Sequence, residues 1–234
     1  MPLLTTRGGG SARGFGLQGG GFKGIVATGG TITEQGNFYL HTFNGSDTFQ
    51  ITKASAIYPT YDWFIIGAGS GGAGGQTHQH PGAGGAAGYI EQANGVTGNV
   101  ASYPVVIGAG GAGAITQQVA GGAGNASTIF GNSANPGNAV GATSRTGGSN
   151  DQYNGGTSNN RQTAGGGAGA GQNGSGTEGG NGHPNSGGTG GGGNFAFGPS
   201  PATQNRGSGG GGGFINGGGT GSDGVCFIKY QVAG

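Results

Sequence analysis

AGGGAGAGQNGSGTEGGNGHPNSGGTGGGGN (residues 164–194), FAFGPSPATQNRGS (195–208) and GGGGGFINGGGTGSDG (209–224) run together as one glycine tract, and its reading decides the fold. Large apolar side chains are few in it, so side-chain burial cannot order it. Glycine also loses more backbone entropy on ordering than any other residue. The tract is therefore either disordered or held at close range by backbone hydrogen bonds to neighbouring segments. Two features favour order. Its glycines are interrupted by Ala, Asn, Ser and Thr rather than by the Lys, Glu and Pro of solvated disorder. It also runs into GVCFIKYQV (224–232), a strand signature that must pair with something earlier in the chain.

A left-handed helix with three residues per turn and a rise of about 3.1 Å suits such glycine. It makes no internal hydrogen bonds, so its N–H and C=O groups point outward and need partners. Without Cβ atoms, several such helices can lie side by side and bond to one another. Collagen is excluded, because the three-residue phase slips at Gly165, Gly166, Gly167, Gly169, Gly171, Gly174 and Gly176.

Outside the tract the pattern is β. IVAT (25–28), TITE (31–34), NFYLHTF (37–43) and TFQITKA (48–54) are separated by Gly29-Gly30, by Gln35-Gly36 and by the turn from Asn44 to Asp47. Asn44-Gly45 between β-rich runs predicts a hairpin. Phe49 and Ile51 share one face of the second arm, with Gln50 and Thr52 on the other. WFII (63–66) is too short for a buried helix and fits a central strand covered on both faces. AGYIEQA (87–93) leads to an expected turn at Asn94-Gly95, and YPVVIGAG (103–110) and ASTIFG (126–131) add strands. Residues 132–163 are polar. No segment holds a 3.6-residue period, so no α-helix is expected. Strands repeatedly feed straight into glycine, as in FIIGAGSGG, VVIGAGGAG and TIFGNSANPG. The predicted fold is all-β: a small antiparallel, sandwich-like scaffold with glycine-rich loops and packed polyglycine threefold helices projecting from one end. The expected divisions are a docking segment (1–23) and a glycine-rich β domain (24–232). The latter comprises a strand-rich part (24–131), glycine-rich loops and helices (132–224) and a closing strand (225–232).

Composition narrows the function. Of 234 residues, 68 are Gly and only 6% are charged, with a net charge of +1. There is no basic stripe, so nucleic-acid binding has no electrostatic footing. A single cysteine, Cys226, excludes an intrachain disulfide, and its apolar strand marks it as a packed hydrophobe. No apolar run of about 18 residues exists, so no membrane insertion is expected. The first residues lack the roughly 7–15-residue apolar segment of a secretory signal.

Four stretches, HTFNGSDTFQIT (41–52), DWFIIGAGSGGAGG (62–75), YPVVIGAGGAG (103–113) and GSDGVCFIKY (221–230), resemble in content and order the glycine-rich domain found at the ends of bacteriophage tail-fibre and adhesin proteins. Lys229 stands where that family tends to carry arginine. RGGGSARGFG (7–16) is similar to segments of phage tail and baseplate proteins. The resemblance implies a receptor-binding tip in a virion, at a tail fibre, tail tip or baseplate, with a host cell-surface receptor and other tail or fibre proteins as partners and a homotrimer as the assembly. Attachment would run through the first segment, with Arg7, Arg13 and Phe15. The family's long N-terminal shaft has no counterpart in these residues, and a separate tip protein or a short fibre is expected.

Enzymatic function finds no support, because seven Asp plus Glu and four His are scattered, mostly over turns and loops. GAGSGGAGG after a strand lacks the helix and acidic residue of a dinucleotide loop, and no cofactor is implied. His78 and His80 have a metal-like spacing but sit in a Pro/Gly loop, so a solvated loop is the expected reading. Receptor contact is better supported. Phe195 and Phe197 before Pro199 and Pro201, and Tyr153 among Asn, Gly and Ser, have the composition of binding loops. Arg145, Arg161 and Arg206 could pair with envelope phosphate or carboxylate. The same aromatics could instead cap the glycine bundle. The expected function is a non-enzymatic adhesin recognising a host surface protein or glycan. Its rivals are a structural virion component of the baseplate or fibre connector, and an ice-binding protein, for which the threefold phase is too broken.

Overall fold

The computed structural model describes residues 23–75, 82–141, 148, 207–210 and 217–233. Among them the fold is all-β, with no α-helix. Ten strands follow in chain order: β1 (Val26–Thr28), β2 (Thr31–Gln35), β3 (Phe38–Phe43), β4 (Asp47–Lys53), β5 (Thr60–Ile66), β6 (Ile90–Thr97), β7 (Ala101–Val105), β8 (Ser127–Ile129), β9 (Asn132–Ala134) and β10 (Val225–Gln231). They form a five-stranded sheet in the order β2-β3-β10-β5-β6, a three-stranded sheet β1-β4-β7 and a β8-β9 hairpin, all antiparallel.

Alternation builds the core. Phe49 and Ile51 of β4 are buried while Gln50 and Thr52 are exposed, as their period-2 spacing predicts. Tyr61, Trp63 and Ile65 of β5 and Cys226, Ile228 and Tyr230 of β10 share one hydrophobic cluster with them. Phe49 sits at its aromatic centre, with ring centroids 6.4 Å from Phe43, 6.1 Å from Tyr61 and 6.1 Å from Phe130. The WFII strand is central, between β10 and β6. On its opposite face Phe64, half-buried, lies 6.3 Å from Phe227.

Among the described residues the core holds one ionisable imidazole. His41 is fully buried, with Nδ1 2.7 Å from the Gly29 carbonyl oxygen and Nε2 3.0 Å from the Tyr230 hydroxyl. A carbonyl can only accept, so Nδ1 carries the proton and Nε2 accepts from Tyr230. Burial lowers the His41 pKa, partly opposed by the bond to Gly29. Burial also pushes the Tyr230 hydroxyl up to about 12.

Three local expectations are corrected. Asn44-Gly45 does not close a hairpin, because β3 and β4 belong to different sheets. Cys226 and its neighbours in β10 occupy the edge of β3 that a hairpin partner would need. The Ser46 hydroxyl meanwhile accepts from the Ile107 N–H (3.0 Å), which pins the connection across to the end of β7. Asn94-Gly95 is no turn either. β6 runs through it as a bulge, two residues facing Asp62, and the Asp62 carboxylate accepts from the Gly95 N–H (2.8 Å). Finally, the polar stretch from residue 132 begins with a strand, β9, which folds back on β8 through Phe130 and Gly131 at φ 52° and 76°.

Candidate functional site

The segments 67–75, 82–89, 106–114, 119–126, 135–141 and 217–224 each leave or enter a strand end, and together they build a second body beside the sandwich. Residues 67–75 follow β5 and are buried throughout. Their N–H groups go round three neighbours in rotation. Gly67, Ser70 and Ala73 donate to Tyr89, Ala86 and Ala83; Ala68, Gly71 and Gly74 donate to Asn125, Gly122 and Val119; Gly69 and Gly72 donate to Ser222 and Gly219, all at 2.8–3.1 Å. Each neighbour is met every third residue, the hydrogen-bonding period that three residues per turn produces. Partner numbers fall as donor numbers rise, so these three neighbours run antiparallel. The carbonyls serve other segments: Gly69 and Gly72 accept from Gly111 and Ala114, Ala68 from Gly137, and Ser70 from Gly210.

Glycine is required here by proximity. A Cβ on Gly71 would fall closer than 3.0 Å to backbone atoms of residues 112 and 113, and one on Gly218 would do the same against residue 72. Where side chains occur they are small and often bonded. The Ser70 hydroxyl accepts from the Ala86 N–H (2.6 Å), and the Ser127 hydroxyl from the Gly108 N–H (3.0 Å). The centre of this body is thus a core made of main chain.

At the end remote from the strands, residues 74–75, 114–119 and 217–218 meet. Gln118 donates to the Gly75 carbonyl (3.1 Å), Gly74 to Val119 (3.0 Å) and Gly218 to Ala114 (2.8 Å). The connection 115–118 crosses this tip. Ile115 is 87% exposed, and Gln118 has φ 58°, a left-handed conformation uncommon outside glycine.

A second concavity lies on the side of the sandwich, where β6 and β7 approach the β8-β9 turn. It encloses about 610 Å³. Its aromatic wall is Tyr61, Tyr103 and Phe130, with Phe130 4.7 Å from Tyr103 and 5.1 Å from Tyr61 between ring centroids. Thr97, Asn99, Asn132 and Ser133 form its exposed rim. No Asp, Glu, Lys, Arg or His lines it. Burial, reinforced by Tyr103, pushes the Tyr61 hydroxyl up to about 12 and keeps it protonated. Tyr61 lies in β5 and Tyr103 in β7, and nothing in either stretch of sequence marks the other as its neighbour. The residues come from positions 61, 103 and 130, and only the assembled sheets bring them together.

The candidates named from sequence lie outside the described residues: Arg145, Tyr153, Arg161, Phe195, Phe197 and Arg206 for the receptor, His78 and His80 for metal, and Arg7, Arg13 and Phe15 for attachment. Among the described residues, no group of three or more His, Cys, Asp and Glu stands together as a metal site. No helix there is long and apolar enough to cross a membrane. Cys226 is buried and unpaired by disulfide, and burial pushes its thiol pKa far up.

Residues 42–231 match the family described as a glycine-rich domain. The match spans most of the chain, which therefore belongs to this glycine-rich domain family. No curated protein matches the sequence.

Proposed function

We propose that this chain is a recognition module, an adhesin at the tail fibre or tail tip of a bacteriophage, that offers the far end of its glycine body to a receptor on the host cell surface. The observation that carries this reading is the three-residue rotation of hydrogen bonds around residues 67–74. It gives a rigid support whose stiffness does not depend on large side chains, so the tip loops are free to vary in sequence. Ile115, 87% exposed on a loop whose backbone is bonded to Gly75, has the character of a preorganised contact rather than of a core residue. Neither the tip 115–118 nor the side groove carries the paired titratable groups that acid–base chemistry needs, which favours binding over catalysis. The phage assignment draws on the sequence resemblance in residues 41–52, 62–75, 103–113 and 221–230. Virion location, other tail or fibre proteins as partners and a homotrimeric assembly belong to the same proposal.

The test is adsorption of the fluorescently labelled full chain to a panel of bacterial strains. Wild-type protein is expected to bind a subset of strains. Ile115→Asp, which places a charge where an apolar contact is needed, should reduce binding about ten-fold or more. Its melting temperature should not change, because the side chain is exposed. Unaltered adsorption by Ile115→Asp, or by a chain with residues 115–118 replaced by Gly-Ser, would reject the tip as the recognition surface.

A further inference from the structure

We infer that the groove between Tyr61, Tyr103 and Phe130 is a binding site for a neutral saccharide, distinct from the tip of the glycine body. The inference goes beyond the tip reading and stands without it.

The first argument is chemical composition. A pyranose ring has an apolar C–H face and a rim of hydroxyls that both donate and accept. It needs an aromatic wall beside groups that do the same. Tyr103 and Phe130, both half-buried, supply the wall. Asn99, Thr97, Asn132 and Ser133 supply amide and hydroxyl groups around it. The Asn132 amide nitrogen donates to the Phe130 carbonyl (3.2 Å), which fixes the side chain and leaves its oxygen as an acceptor.

The second argument is strain at one residue. Phe130 adopts φ 52° at a two-residue turn where Asn or Gly would sit without steric conflict. An aromatic side chain is sterically disfavoured there and is found where surrounding structure enforces it. The conformation brings its ring against Tyr103 at 4.7 Å and Tyr61 at 5.1 Å, so that three aromatics from distant parts of the chain form one wall.

Other ligand classes fit less well. The lining has no cation for a phosphate, sulfate or carboxylate and no anion for a basic ligand. An apolar small molecule would need most of its surface enclosed, whereas the rim residues here are exposed and polar. A peptide adding a strand would need the free edge of β7. Pro104 lacks an N–H there, and Val106 already bridges to Thr128. The volume of about 610 Å³ lies within the range of small-molecule sites, roughly 300–1,000 Å³.

The test uses the full chain on an array of neutral oligosaccharides of hexose and N-acetylhexosamine, beside sialylated, sulfated and phosphorylated glycans. Titration calorimetry then follows with the strongest neutral binder. Binding confined to neutral glycans is expected, with Tyr103→Ala and Asn99→Ala each weakening it about ten-fold. Asn99 is exposed, so Asn99→Ala should melt as the parent does and keeps the test valid if Tyr103→Ala fails to fold. Ile115→Asp should bind the saccharide unchanged, so loss of cell adsorption in that variant and loss of saccharide binding in Asn99→Ala report on separate sites. The inference is overturned if no neutral glycan binds at about 1 mM, if charged glycans bind as well as neutral ones, if a strand-forming peptide competes for the site, or if Asn99→Ala and a folded Tyr103→Ala both bind like the parent.

Discussion

Replacing Gly71 by alanine tests whether main-chain contact is what makes the glycine body solid. The added methyl would overlap the carbonyl and following nitrogen of Ala112, which are backbone atoms and cannot swing aside as a side-chain end can. Segments 67–74 and 108–114 would have to separate. Four hydrogen bonds flank that point: Gly71 N–H to Gly122 O (2.9 Å), Gly111 N–H to Gly69 O (2.8 Å), Ala114 N–H to Gly72 O (3.0 Å) and Gly122 N–H to Ala112 O (2.7 Å). Two of these join the parted segments directly and Gly122 bridges them through the other two, so three or four are lost, about 3–4 kcal/mol at about 1 kcal/mol net for each. Alanine returns roughly 0.4–1 kcal/mol by restricting the unfolded chain, which leaves a loss of about 3 kcal/mol. In a chain of this size that lowers the melting temperature by roughly 6–12 °C. The matched control is Gly45→Ala, because a Cβ at Gly45 meets nothing within 4 Å. Its melting temperature should stay close to that of the parent. Differential scanning calorimetry gives both numbers, and amide hydrogen exchange should show protection lost around residues 67–74 in Gly71→Ala alone. If the two variants melted together, with protection unchanged, the close packing of these segments would be refuted.

Acid should weaken the protein through His41. Its folded pKa lies below the ordinary 6.5, so on acidification the unfolded state takes up this proton first. This contribution is fully present above the unfolded pKa and is lost as pH falls below about 6.5, at up to about 1.4 kcal/mol per pH unit. Urea midpoints measured from pH 8 to 5 should fall below pH 6.5, and His41→Gln should flatten that portion of the curve. Ser70→Ala removes the acceptor of the buried Ala86 N–H and should destabilise by about 1–3 kcal/mol in urea denaturation. The Cys226 thiol, buried with its pKa raised, should resist alkylation by iodoacetamide in the native protein and react on unfolding, as mass spectrometry will show.

What the sequence made legible was local, and what it hid was the identity of partners. Alternation in β4 and the apolar runs of β5 and β10 are properties of neighbouring residues, and those strands form where expected. Pairing is different. Residues 44–45 and 94–95 both carry Asn-Gly, yet neither makes a hairpin, because a partner distant in sequence takes the groups a hairpin would need. β10, more than a hundred residues later, takes the edge of β3, and Asp62 holds the Gly95 N–H within a bulge. β9 was hidden for the opposite reason: Asn132, Ser133 and Ala134 have no strand propensity, and only β8 beside them makes a ladder. The side groove left no signal at all, since its three aromatics stand 42 and 27 positions apart (61 to 103, 103 to 130).

The join between strand and glycine explains how one chain can hold two kinds of core. β5, β7 and β9 each deliver a chain into the glycine body at one end of the sandwich, and β6, β8 and β10 each receive one back. Hydrophobic burial in the sandwich holds those six ends in place. The segments that leave them are then already neighbours, so the entropy of bringing them together has largely been met by the sandwich. What remains is the cost of ordering glycine itself, offset by a hydrogen bond at every N–H of residues 67–74. This division makes the two bodies unequal in their tolerance of change. In the sandwich, a methyl added or lost is absorbed partly by side-chain rearrangement. In the glycine body, a methyl at a contact such as Gly71 meets backbone on the far side and has nowhere to go, whereas Ile115 and Thr116 at the tip are exposed and leave room for other side chains.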